Sequence, residues 1–115
     1  METVNEKVVR YRQIIEELLT RRSAVPYLEK GIQDRLLFDE NHDRYALIAE
    51  GWSREERVHN VIIDLEILNG KIWIQADNTD VAVARELESK GVPKSDIVLG
   101  FRSPSVRADT EYAVA

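Results

Sequence analysis

The stretch ILNGKIWIQADNT, residues 67–79, decides how the centre of this chain folds. Asn69-Gly70 lies between two apolar runs, which is typical of a two-residue β-hairpin turn. Such a turn needs positive φ at both central residues, and Asn and Gly tolerate that best. Counting outward from the turn predicts the cross-strand pairs Leu68–Lys71, Ile67–Ile72, Glu66–Trp73, Leu65–Ile74 and Asp64–Gln75. Apolar residues then face one another on one side of the hairpin, and polar or amphipathic residues on the other.

The remaining elements follow from hydrophobic spacing. Apolar residues at helical spacing predict a first helix over residues 4–22, with Thr3 and Glu6 at capping-box spacing before it. Strand-like runs follow over 32–39, 44–52 and 57–68, and the turn returns a fourth strand over 71–77. Thr79 is expected to cap a second helix, which ends near Gly91.

These elements predict an α+β fold in one domain, residues 1–115: a four-stranded antiparallel meander with two helices packed on one face. The 115 residues, 43% of them hydrophobic, suffice for one core. The absence of cysteine excludes disulfides and thiolate metal sites. The sequence shows no apolar run that could span a membrane and no signal-peptide pattern, so a cytoplasmic protein is expected.

The charge distribution bears on nucleic-acid binding. A net charge of −5 disfavours it, because phosphate neutralisation by Lys and Arg supplies most non-specific affinity. A local basic patch stays open, since Arg10, Arg12, Arg21 and Arg22 fall on or near the first helix. The alternative interpretation is a solvated helix face, with Arg21 and Arg22 suited to a helix C-terminus.

Two groups of residues are candidates for chemistry. The first group matches the spacing of an EF-hand loop: Asp39, Asn41, Asp43 and Glu50. Arg44, however, stands at the position where that loop needs Gly. We therefore expect a polar hairpin turn, and we predict no metal or cofactor. Strand parity places His59 on the face of Val61 and Ile63, where we expect a hydrogen-bonded histidine at a strand end. No serine elbow, glycine-rich phosphate loop or second candidate histidine stands near His59 in the sequence, so no catalytic residue is predicted.

The polar face of the predicted hairpin is a candidate protein interface. Its centre is an aromatic side chain amid polar groups, as in many interface anchors. The residues predicted to form the interface are Asp64, Glu66, Lys71, Trp73 and Gln75. This face would bind a protein partner or a second copy of the chain. The alternative is that the C-terminal tail covers Trp73.

Several motifs, in order along nearly the whole chain, are similar to those of one known family. They are Tyr11-Arg12, Gly51-Trp52, Arg57-Val58-His59, Gly70-Lys71-Ile72-Trp73-Ile74-Gln75 with Asp77 and Thr79, Gly91-Val92-Pro93-Lys94, Asp96-Ile97-Val98-Leu99 with Phe101, Pro104, Arg107 and Tyr112-Ala113-Val114-Ala115. With these motifs the chain resembles the XisI family, named for the fdxN element excision controlling factor. One departure is Asp80, where the family pattern has Glu after the threonine; the change keeps a carboxylate there.

The resemblance implies an accessory factor for programmed site-specific excision of a DNA element, acting beside a recombinase. Family members commonly occur with a second small protein, XisH, which resembles restriction-type nucleases. The resemblance carries over no catalytic or metal residue. It favours a non-enzymatic controlling subunit that binds an XisH-type partner. A recombinase complex and a second copy of the chain are the further candidate partners. The alternatives are direct DNA binding, with Arg107 joining the helix arginines, and a small enzyme centred on His59.

Overall fold

A computed structural model of the chain describes residues 1–115 and confirms the α+β class. Its elements, in chain order, are α1 (Val4–Ser23), β1 (Ile32–Asp39), β2 (Arg44–Ser53), β3 (Glu56–Leu68), β4 (Lys71–Asp77), α2 (Val83–Ser89), a 3₁₀ turn (Lys94–Asp96), β5 (Ile97–Leu99) and α3 (Pro104–Arg107). None of the helices has the length and apolar content needed to cross a membrane.

The sheet has five strands in the order β1-β2-β3-β4-β5. The first four form the predicted antiparallel meander, but β5 adds a parallel strand to β4 through the pairs Ile72–Ile97, Trp73–Val98 and Ile74–Leu99. The prediction of a four-stranded, purely antiparallel sheet was therefore wrong. A parallel strand needs a crossover connection, here α2 and the 3₁₀ turn. Three residues are too few to show a strand by their own pattern.

The first helix agrees closely with its prediction. The Thr3 hydroxyl accepts a hydrogen bond from the Glu6 backbone N–H at 3.1 Å, so Thr3 is the N-cap. Arg21 and Arg22 lie in the last turn, where cations complement the helix dipole. One stripe of the helix is buried: Tyr11, Ile15, Leu18 and Leu19.

The core lies between this stripe and one face of the sheet. α1 and α2 both contribute to a single cluster of 16 buried residues, together with side chains from β2, β3, β4 and β5. Both helices therefore pack on the same face, as predicted. The opposite face, called the open face below, carries neither of them; α3 and the C-terminal residues lie against its β4–β5 side.

The start of α2 differs from its prediction. Thr79 is not the N-cap, because its backbone N–H and its hydroxyl both donate to Asp77 Oδ1, at 3.1 and 2.5 Å. The other oxygen of Asp77 accepts from the backbone N–H of Val83 at 2.8 Å, where the helix begins. Asp77, the last residue of β4, thus stabilises the start of α2 by accepting this hydrogen bond. At the other end Gly91, with φ +95°, fills the predicted stop position.

Two β-bulges change which residues oppose one another. In β2–β3, Leu47 pairs with Ile63 but Ile48 pairs with Val61, so Ile62 is the extra residue. In β3–β4, Leu65 pairs with Ile74 but Asp64 pairs with Ala76. The four predicted pairs nearest the Asn69-Gly70 turn are confirmed, and the fifth, Asp64–Gln75, was wrong. Asn69 and Gly70 have φ of 52° and 74°, as the predicted turn requires.

Candidate functional site

The β3–β4 hairpin places four of the predicted interface residues on the open face. Glu66 pairs with Trp73 and Leu68 with Lys71, and these positions alternate with the buried Ile67, Ile72 and Ile74. Gln75 is the extra residue of the second bulge, and its side-chain amide donates to Glu66 Oε1 at 3.1 Å. The four residues, Glu66, Lys71, Trp73 and Gln75, are half-buried. The turn chemistry therefore brings them together as predicted.

Asp64 also lies beside this group, but it is not paired with Gln75 as predicted. It stands opposite Ala46 of β2, and its carboxylate accepts from Arg44 Nε at 3.2 Å and from an Arg44 terminal nitrogen at 2.9 Å. A second Arg44 terminal nitrogen lies 3.7 Å from Glu66. The hydrogen bond to Asp64 raises the pKa of Arg44, which therefore stays charged. Arg44 links the two carboxylates, and the pattern of β3 and β4 alone gave no sign of it.

The C-terminal residues cover part of the predicted interface. The Arg107 guanidinium lies 5.2 Å from the centre of the Trp73 ring, in cation–π geometry. Val98, which pairs with Trp73, is fully buried and forms a bridge with Ala113. The Lys71 ammonium donates to the backbone oxygen of Ala115 at 2.5 Å. Of the two alternatives considered for Trp73, partial coverage by the tail is the one the structure shows.

His59 lies on the open face, where sequence parity did not place it. The bulge at Ile62 reverses the parity of β3, so His59 and Val61 face away from Ile63, and that expectation was wrong. The His59 side chain is 59% exposed, and its Nε2 lies 3.9 Å from Glu50 Oε2. None of the larger surface cavities includes His59 in its lining. The arrangement offers no enclosed place for a substrate beside the imidazole.

Sequence reasoning missed the residues that the structure gathers around His59. Glu50 stands opposite His59 and accepts from Arg35 Nε at 2.9 Å. Arg57 lies 4.0 Å from Glu50, and its guanidinium lies 5.6 Å from the centre of the Trp52 ring. These residues come from three strands. The exposed Gly51-Trp52 and Arg57-Val58-His59 motifs were the only signal that could have indicated this end of the open face.

The five arginines considered for DNA binding do not form one patch. Each is engaged within its own region: Arg10 by Glu2 at 2.9 Å, Arg12 by Asp43 at 2.6 Å, and both Arg21 and Arg22 by Glu86. Arg107 donates to the backbone oxygen of Val114 at 2.8 Å and stacks on Trp73. Helix α1 alone separates Arg10 from Arg21 by about 16 Å, from its rise per residue. A convergent phosphate-binding surface is thus not built from these side chains.

The polar segment between β1 and β2 is the predicted hairpin turn. The Asp39 carboxylate accepts a hydrogen bond from the His42 backbone N–H at 3.2 Å and contacts His42 Nδ1 at 2.8 Å. The contact with the His42 side chain is the main reason why the pKa of Asp39 is lowered. Asp43 has φ 51° and pairs with Arg12, which lowers the pKa of Asp43. Its oxygens are therefore committed within the protein. The residues of the EF-hand spacing do not converge, and no group of three or more His, Asp or Glu side chains is placed to hold a metal ion.

Comparison with known proteins identifies relatives of this chain. The family described as "XisI protein" matches residues 5–114. A crystal structure of a XisI-like protein from Anabaena variabilis ATCC 29413 is similar with a TM-score of 0.88 and 34% identity, over 93% of this chain and 98% of that one. The fdxN element excision controlling factor XisI from the same organism is similar with a TM-score of 0.82 and 40% identity, over 95% and 99%. No curated protein sequence matches the chain.

Proposed function

Since the chain belongs to the XisI family, we propose that it is an accessory factor that controls site-specific excision of a DNA element. The observation that carries the proposal is the 40% identity, over nearly the full length of both chains, to a protein named as an excision controlling factor. The proposed mechanism is binding of an XisH-type, nuclease-like partner, in the cytoplasm and within reach of a recombinase.

The proposed mode of action is non-enzymatic. The family is named for control of excision, and the one histidine considered as a general base, His59, is exposed beside Glu50 on an open sheet face. General acid–base catalysis needs a positioned substrate and an oriented base. The geometry around His59 favours a role for this face in contacts with other macromolecules.

The proposed partner surface is the β3–β4 surface, formed by Asp64, Glu66, Lys71, Trp73 and Gln75. Arg44 lies between the carboxylates of Asp64 and Glu66. Two negative charges therefore meet one positive charge there, which leaves a local excess of one negative charge. The net charge of the chain is −5. Acidic and basic surfaces attract one another over a distance, which steers association. A nuclease-like partner needs a basic surface for DNA. The Asp64–Glu66 part of the β3–β4 surface, where two carboxylates meet one guanidinium, is complementary in charge to it.

The test is co-expression with an XisH-type protein, followed by size-exclusion chromatography with light scattering. We expect one co-eluting complex. Glu66→Lys should abolish it, whereas Glu56→Lys, the same charge change at the far end of β3, should leave it intact. Circular dichroism of both variants verifies the fold. Two separate wild-type peaks would refute the partner, and an intact complex with Glu66→Lys would refute the surface.

A further inference from the structure

The β1–β3 part of the open face has apolar side chains that no other element covers. Leu37, Trp52 and Val61 are 56%, 54% and 42% exposed. Val61 pairs with Ile48 of β2, and these two side chains form the apolar part of a row across the middle of the face. Arg35 of β1, which pairs with Ile48, continues the row, and its Nε lies 2.9 Å from Glu50. Most exposed apolar residues are scattered singly, whereas these share one face of neighbouring strands. The charges on either side of the row indicate which kind of partner binds there.

On one side of the row lies the Trp52 end of the face. There Arg35 and Arg57 both approach the single carboxylate of Glu50, at 2.9 and 4.0 Å. Two guanidinium groups against one carboxylate leave about one positive charge at this end. Trp52 is 54% exposed, and the centre of its ring lies 5.6 Å from the Arg57 guanidinium.

On the other side of the row lies the Asp64 end, with the opposite charge. There Arg44 is placed between two carboxylates, at 2.9 Å from Asp64 and 3.7 Å from Glu66, which leaves about one negative charge. Small Ala46 leaves a depression beside Arg44. This cavity, of about 340 Å³, also includes Leu37 and Asp64 in its lining and is open to solvent. One face thus carries a positive end with a protruding aromatic ring and a negative end with a hollow.

We propose that this part of the open face binds a second copy of the chain, face to face, about a two-fold axis that runs along the Ile48–Val61 row. Two sheets pack face to face with their strand directions nearly aligned, within about 30°. A two-fold contact is isologous, so each surface must be complementary to itself. This face meets that requirement, because its two ends are equidistant from the row and opposite in charge.

The strand register gives the contacts of this dimer. Arg57 and Glu66 stand in rows equally far from the axis, since Trp52 pairs with Arg57 and Arg44 pairs with Glu66. In the dimer Arg57 of one copy therefore lies over Glu66 of the other. Trp52 lies over Arg44 and its hollow, where a guanidinium can stack on the indole. Val61 lies over Val61 of the second copy.

The choice of a second copy rests on this internal complementarity. Binding of an unrelated partner does not require the two ends of this face to be complementary to each other. A two-fold contact does require it, because each end then lies against the other end of the second copy. The inference does not depend on the proposed excision function, because neither DNA nor an XisH-type protein takes part in the contact.

The test is analytical ultracentrifugation of the full chain across the micromolar range, with substitutions at the axis. We expect the wild type to be a dimer. Val61→Glu and Val61→Lys each place like charges against one another and should weaken the dimer by about a hundredfold or more. An equimolar mixture of the two variants should restore dimers, because glutamate then meets lysine across the axis. The control Val9→Glu changes an equally exposed valine, on α1, and should remain a dimer.

A wild type that stays monomeric across the range refutes the proposal. A dimer that survives Val61→Glu shows a different interface and also refutes it. Two monomeric variants whose mixture stays monomeric refute the two-fold axis at Val61. Recovery in the mixture cannot come from a folding defect, and it supports the axis.

Discussion

The hydrogen bond between Tyr11 and Asp96 joins α1 to the segment that leads into β5. Removing it tests how much this buried contact contributes to the free energy of unfolding. Tyr11 is fully buried, and its hydroxyl donates to Asp96 Oδ2 at 2.5 Å. Lys7 lies 3.2 Å from the same oxygen. Tyr11→Phe removes the hydroxyl alone, because the ring and the cations near it, Lys7 and Arg10, remain.

The expected cost follows from the charge and burial of the pair. A hydrogen bond to a charged group contributes about 1.5–3 kcal/mol, more than a neutral one. Lys7 continues to pair with Asp96 in the variant, so the lower end applies, about 1.5 kcal/mol. For a chain of this length that corresponds to a fall in Tm of about 6 °C.

The assay is thermal and urea unfolding at neutral pH, with Tyr27→Phe as the matched control. Tyr27 makes an equally short bond, to Asp34 at 2.5 Å. Tyr27 is 40% exposed and Asp34 is half-buried, so the loss of this bond should cost less than about 0.5 kcal/mol. Equal losses in the two variants, or no loss in Tyr11→Phe, would refute the reasoning that burial sets the cost.

The pH dependence of the same pair gives a second readout. Burial first, and then the hydrogen bond to Asp96, raises the pKa of Tyr11 above its ordinary value. A raised pKa means that the stabilisation is complete below the unfolded pKa of about 10 and is lost as pH rises further. The difference in stability between wild type and Tyr11→Phe should therefore shrink above about pH 10.

Two further substitutions test local features. Glu16→Gln should stabilise the protein by about 0.5 kcal/mol at neutral pH, the size of a surface charge pair, because burial and a hydrogen bond with Glu40 raise the pKa of Glu16. The gain, measured by urea unfolding, should vanish as pH falls and Glu16 becomes protonated; a gain independent of pH would contradict this cause. Gly51→Ala should cost about 3 kcal/mol or more, since its φ is +148° and a Cβ would collide with the backbone oxygen of Gly31. Gly91→Ala, with φ +95° but no atom within 4 Å, should cost less, and equal losses in unfolding would show that the collision is unimportant.

The parts of the fold that the sequence predicted are those set by local chemistry. The Asn69-Gly70 turn fixes four cross-strand pairs because the required φ values belong to two adjacent residues. The start of α1 follows from the Thr3 hydroxyl and the first backbone N–H groups, which are also neighbours in sequence. Such features need no knowledge of distant residues, so a pattern in the sequence is enough.

The parts that could not be predicted depend on residues far apart in sequence. The Ile62 bulge is set by how β3 fits both β2 and the core, and it reverses the facing of His59. The short strand β5 becomes a strand only because β4 offers it an edge. The β2–β3 turn has Arg54 at φ 58°, where no glycine or asparagine marks the turn. The candidate site depends on all of these, so its Trp52 end was not predicted.

Asp64 and Glu66 belong both to the face proposed for the dimer and to the surface proposed for the XisH-type partner. Glu66 lies over Arg57 of the second copy in the proposed dimer, and it also belongs to the β3–β4 surface proposed for the XisH-type partner. One carboxylate cannot face both at once, so the dimer and the complex should exclude each other. Because dimer formation depends on concentration, the fraction of chains with a free partner surface falls as the chain accumulates. Val61→Glu, which should remove the dimer and leave Glu66 in place, should therefore bind the partner more tightly than the wild type, by the fraction of chain that the dimer withholds.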